Sequence, residues 1–154
     1  MSTFQHRQSR RDFFYTSAAL AASTALLRGQ AAPASVVSVT NGASRRKNIA
    51  DALAAIEEQI LPVLKTKKHV IIKPNIVSTN NQLASTHVDA LHVILDFLEP
   101  RFKGPVIIAE SSAGYTTEGF DHFGYTKLAP EHKPLAVSLV DLNEEGRHLP
   151  HAIL

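Results

Sequence analysis

The chain has 154 residues, with 16 Lys and Arg against 14 Asp and Glu, and it has no cysteine. Disulfides, thiolate zinc sites and iron–sulfur clusters therefore cannot be built from this chain alone. A formal charge of +2 excludes a broadly basic nucleic-acid-binding surface unless the charge is concentrated in one region.

The concentration lies at the amino end, where residues 1–34 have the three parts of an export signal. Arg7, Arg10 and Arg11 precede an apolar run from Phe13 to Leu27, and Ala32-Pro33-Ala34 supplies an A-x-A-like cleavage site. Ser9-Arg10-Arg11-Asp12-Phe13-Phe14 resembles the twin-arginine motif, with Tyr15 where a Lys often stands, and Arg28 after the apolar run suits that route. The expected partner is the twin-arginine translocation machinery, and the expected location is periplasmic or otherwise extracytoplasmic. A stable membrane span would need about 20 apolar residues. Phe13–Leu27 has 15, diluted by Thr16, Ser17, Ser23 and Thr24. Residues 35–154 hold 12 basic and 13 acidic residues, a formal charge of −1. The basic pI thus belongs to the leader, no nucleic-acid partner is expected, and the remainder suffices for one small domain.

Within 35–154, the β-branched run Ser35–Thr40 predicts a first strand, and Asn41-Gly42 a turn. Ile49, Leu53, Ile56 and Ile60 recur at helical spacing from Ser44 to Leu61, and Pro62 ends or kinks that helix. His69–Ile72 predicts a buried strand stopped by Lys73-Pro74-Asn75. After a polar loop, Thr86 is placed to cap a helix, with Asp89 returning the hydrogen bond. Leu91, Ile94, Leu95 and Leu98 form its buried face. Val106–Ala109 predicts a third strand, Thr117–Phe123 a short helix ending at Gly124, and Val137–Leu142 a fourth strand.

This β-α-β-α-β-α-β order predicts an α/β fold: a mainly parallel sheet with helices on both faces. Nothing after the fourth strand reads as a closing helix, so an incomplete domain is expected.

Ligands of open parallel sheets sit beyond the carboxyl ends of the strands. That rule selects two loops, Lys73-Pro74-Asn75 and Glu110-Ser111-Ser112-Ala113-Gly114. Lys73 is either a solvated strand end or a receiver for an anionic group. Asn75 either binds or only shapes a turn. His87, in a helical first turn, is either a surface residue or a base or ligand. A charge such as Glu110 beside a buried strand end needs a partner. Lys73 in a plain ion pair, a metal and a substrate are the alternatives. Glu110 and His87 are the candidate catalytic groups, and Lys73, Asn75, Ser111 and Ser112 the candidate ligand-binding groups. Helix starts near Thr86 and Thr117 would favour an anion. No GxGxxG, P-loop or HExxH pattern is present.

In these same segments the chain resembles a bacterial family known as domain of unknown function 362. The resemblance rests on Val70–Asn75, Ser85-Thr86-His87, Val106–Gly114, Gly119-Phe120 to Gly124-Tyr125, and Val140–Asn143, spanning roughly residues 36–145. It implies no established activity. Some members are similar in carrying ferredoxin-type modules, which implies redox or cofactor work, but this chain has no cysteine. Members continue into a Lys-Thr-His segment and a Gly-containing Lys-Asn segment, absent here after Asp141, so the resemblance is to the amino-terminal half. Three expectations follow: an exported enzyme dependent on a cofactor, metal or anion; a non-catalytic domain binding a small anion or a protein; or an inactive truncated remnant.

Overall fold

A computed structural model describes residues 35–145; the leader reading, with Arg10 and Arg11, lies outside them. All described secondary structure falls within one unit, residues 37–154.

Helix α1 (Arg45–Ala55) is capped by Ser44, whose hydroxyl accepts from Lys47 N. The predicted single helix is broken, but at Ile56 rather than at Pro62, and α2 (Glu57–Leu64) runs on through the proline. The break has a packing cause. Helix α1 lies along α3 and buries no residue fully, whereas α2 turns Ile60 and Leu64 into the core. One straight helix could not do both.

Strand β1 (Val70–Ile72) leads through a polar loop with a 3-10 turn at Gln82–Ala84 into α3 (Val88–Leu98). Strand β2 (Pro105–Glu110) is followed by α4 (Thr116–His122), a 3-10 turn at Tyr125–Lys127 and α5 (Leu128–Glu131). Strand β3 (Ala136–Asp141) runs directly into α6 (Leu142–Glu145). The sheet has the order β1-β2-β3 and is parallel throughout, with Val70 paired to Val106 and Val106 to Val137. The α/β class with interleaved helices is as expected.

Two expectations about the sheet are corrected. Ser35–Thr40 forms no strand, and Val37 and Val39 are exposed. A β-branched run fits a pleated surface only when a neighbouring strand accepts its backbone. Helices α1–α5 also lie to one side of the sheet, and on the other side α6 only borders the face, through Leu142. Both crossovers step in the same direction, and right-handed connections then place their helices on the same side. Val70, Ile72, Val106, Ile108, Val137 and Leu139 face that side and pack against Leu91, Leu95, Phe120 and Leu128. The alternate positions are Ile71, Ile107, Ala109 and Val140. No residue of α1–α5 joins them in the core cluster; Ile71 is 58% exposed and Ile107 and Val140 are half-buried, although Ala109 is buried.

Candidate functional site

Strands β1 and β2 end on the same rim, and their terminal charges meet there. Alternation along β2 turns Val106, Ile108 and Glu110 to the helical side, and Glu110 is 3% exposed. Its partner is Lys73, one residue past β1. Lys73 Nζ donates to both carboxylate oxygens, at 3.0 and 2.9 Å. The Ser111 amide donates to Oε1 at 2.8 Å. The carboxylate is thus held by two donors, one of them cationic. Lys73 keeps 59% of its side chain exposed, so the pair borders solvent on the lysine side, and its Nζ is also 3.4 Å from the Pro74 carbonyl.

Tyr125 lies behind the pair, fully buried, its hydroxyl donating to the Thr86 carbonyl. Burial, with the Glu110 charge adding to it, pushes the Tyr125 phenol up to about 12. Thr86 also clasps Asn75: the Asn75 amide donates to Thr86 Oγ1 at 2.9 Å and the Thr86 amide to the Asn75 carbonyl at 2.8 Å. With its hydroxyl so engaged, Thr86 does not cap α3. His87 does, its Nδ1 accepting from the Asp89 amide at 3.2 Å. The predicted cap is displaced by one residue, and the reciprocal bond of a capping box is not made, because the Asp89 carboxylate is taken by Arg45 and Arg46.

The start of α3 is already supplied with negative charge. Asp89 lies in its first turn, and Arg46 and Arg45 on α1 bond its carboxylate at 2.7 and 3.3 Å. Those hydrogen bonds, Arg46 first, hold the Asp89 carboxyl below the usual range, against the opposing effect of burial.

Ser112 belongs to a different cluster from Ser111. It is buried, its amide and hydroxyl meet Thr116 Oγ1 at 3.2 and 3.1 Å, and its carbonyl accepts from Asn143 Nδ2 at 2.9 Å. Asn143, on α6, ties the end of β3 to the loop after β2. Beside this network is an open groove of about 750 Å³, reached by Gly114, Tyr115, Asp141 and Asn143.

The structure therefore joins Lys73, Glu110 and Ser111 directly, whereas Asn75 is bonded through its backbone to Thr86, whose carbonyl accepts from Tyr125. His87 bonds Asp89 and, among the described residues, hydrogen-bonds neither Lys73 nor Glu110. Ser112 braces the neighbouring loop. Tyr125 and Asn143 enter the sequence reading only inside the resemblance segments ending Gly124-Tyr125 and Val140–Asn143, with no site role. Their residue types alone, a tyrosine after Gly124 and an asparagine after a strand, carry no signal of these contacts.

Lys73 also borders the uncovered sheet face. With Ile71, Ile107, Ala109, Val140 and Leu142 it lines a groove of about 390 Å³ that is mostly apolar. The rim thus combines an exposed cation with an apolar floor.

A second cluster lies at the other end of the strands. Asp96 and Glu99 are at the far end of α3, and His132 is in the turn before β3. Their ligand-type atoms all lie within 4.8 Å of one another. Asp96 and Glu99 read in sequence as an ordinary solvated helix face, and nothing in their spacing points to His132.

No described helix is long and apolar enough to cross a membrane. The family model for Domain of unknown function (DUF362) matches residues 70–152, more than half of the chain. The match begins at β1 and reaches further toward the carboxyl end than the 36–145 read from the sequence. No curated protein and no solved structure matches the chain.

Proposed function

The chain belongs to the domain of unknown function 362 family, and on that premise we propose that its carboxyl rim binds a small ligand with an anionic head and an apolar body. The observation behind this reading is the double position of Lys73. Its ammonium is oriented by the buried Glu110 carboxylate, and the same residue borders the apolar groove over Ile71, Ile107 and Val140. A cation fixed on one side and wet on the other can receive a carboxylate or phosphate oxygen without a rearrangement. The apolar floor adds area that water leaves on binding. In an enzymatic version Glu110 is the group placed to exchange a proton with the ligand, through the same pair. The twin-arginine pattern around Arg10 and Arg11 supports export of the folded domain.

The test is a thermal-unfolding screen of the full chain with medium-chain carboxylates, alkyl phosphates and inorganic phosphate. The reading expects the amphipathic anions to raise Tm and phosphate alone to do less. The Lys73→Met/Glu110→Gln variant, which removes both charges together, should lose the response. A screen without any shift, or a shift retained in the double variant, would sink the reading. Cell fractionation of wild type against Arg10→Lys/Arg11→Lys tests export; equal fractionation of the two is the negative result.

A further inference from the structure

We propose that Asp96, Glu99 and His132 form a site for a divalent cation of the zinc class, clipping α3 to the turn before β3. The site is separate from the rim and does not depend on its reading.

The case begins with hydrogen-bond bookkeeping. His132 is 5% exposed. Its Nε2 lies 3.0 Å from Nδ1 of His92. The outer nitrogens of this imidazole pair both face carboxylates. His132 Nδ1 is 3.6 Å from Asp96 Oδ1 and 3.9 Å from Glu99 Oε2, and His92 Nε2 is 3.6 Å from Glu131 Oε2. A neutral imidazole has one N–H and one lone pair. The bond between the rings uses one of each, so only one N–H is left for the two outer nitrogens. In either arrangement of neutral rings, one end points a lone pair at negative charge.

A cation removes this conflict, and the geometry says at which end. Two carboxylates converge on His132 Nδ1 against one on His92. Both distances at His132 exceed a hydrogen bond. They lie near or slightly above the ~3.3–3.6 Å between neighbouring ligand atoms around a tetrahedral ion with bonds of about 2.0–2.2 Å. With an ion at Nδ1, His132 donates Nε2–H to His92 Nδ1, and His92 turns its own Nε2–H toward Glu131. A ligating imidazole whose other nitrogen is oriented by a polar partner is the usual support of a metal site.

The local structure supplies the ligands from two helix ends, and the three ligand atoms, within 4.8 Å of one another, draw in by less than about 1.5 Å to meet an ion. Asp96 and Glu99 are three residues apart on α3, so their side chains share one face. They lie at its carboxyl end, where the helix carries partial negative charge. His132 is the C-cap of α5, its amide bonded to the Leu128 carbonyl at 2.9 Å. One imidazole with two carboxylates suits zinc, and the imidazole disfavours magnesium and calcium. Three protein ligands leave a fourth position for water.

The test uses the full chain, stripped with a chelator and dialysed. Zinc chloride is titrated by calorimetry, and unfolding is followed with and without zinc, magnesium or calcium. The expected result is one tight zinc per chain and a raised Tm, with little effect of magnesium or calcium. Asp96→Asn/Glu99→Gln, which changes only groups that reach solvent, should weaken binding ~10-fold or more. Glu118→Gln, on α4, should not. Failure of zinc to bind or stabilise would overturn the site. So would equal binding by the double variant, which would place the zinc on other histidines of the chain.

Discussion

Lys73 and Glu110 stand 37 residues apart in the chain, yet the ammonium of one bridges both oxygens of the other's carboxylate. The two partners are unequal, since Glu110 is buried and Lys73 is mostly in water. Removing them should therefore cost different amounts. Lys73→Met strands a buried carboxylate with only the Ser111 amide and should cost about 2 kcal/mol, less than a fully buried pair because water reaches the vacated side. Glu110→Gln strands a solvated ammonium and should cost under ~1 kcal/mol. The double variant should be more stable than the sum of the singles. Denaturant unfolding of the three proteins measures this, and equal single costs would contradict the asymmetry.

Tyr125 should make the fold sensitive to alkali. Its folded pKa, about 12, is raised above the ordinary value of 10. The folded state therefore holds the phenolic proton more tightly than the unfolded chain does. The stability this supplies is complete below pH 10 and is lost as pH rises from 10 toward 12. Tyr125→Phe should lose the Thr86 hydrogen bond, costing about 1 kcal/mol near neutrality. It should also flatten the decline above pH 10. Unfolding midpoints of both proteins between pH 8 and 11.5 are the measurement, and parallel curves would refute the assignment.

Gly124 holds the turn between α4 and the Tyr125 segment at φ 77°. A Cβ there would meet nothing within 4 Å, so any cost of Gly124→Ala comes from the backbone alone. The expected loss is about 1 kcal/mol. Gly124→Asn, whose side chain tolerates this region better, should recover part of it. Thermal unfolding of both variants checks the order.

Much of this is legible in the sequence. The apolar runs at 70–72 and 106–109 announced two strands, of which only the second is buried as expected, since Ile71 lies exposed in the first. Lys73 and Glu110 stood out because a charge at the end of such a strand needs an explanation. Gly124 announced its own turn. What failed had tertiary causes. Ser35–Thr40 has strand composition but no partner strand, and composition cannot provide one. Thr86 has the chemistry of a cap, but Asn75, eleven residues earlier, takes its hydroxyl, and His87 inherits the role. Strand order is silent in a sequence, so the uncovered sheet face could not be read. The His132 cluster joins the end of one helix to the end of another, a closeness made by packing alone.

The parallel ladder has a consequence for how the chain reaches this state. Val70 pairs with Val106, and Val106 with Val137, so each strand partner is more than thirty residues away. Among the described strands no hairpin is available to start the sheet, and each of their ladder bonds must wait for a long loop to close. Local contacts form first, and the search for docked strands sets the pace. Substitutions on the inward face of α3, such as at Leu91 or Leu95, should therefore slow refolding, while those on the bare face of the sheet should act mainly on unfolding.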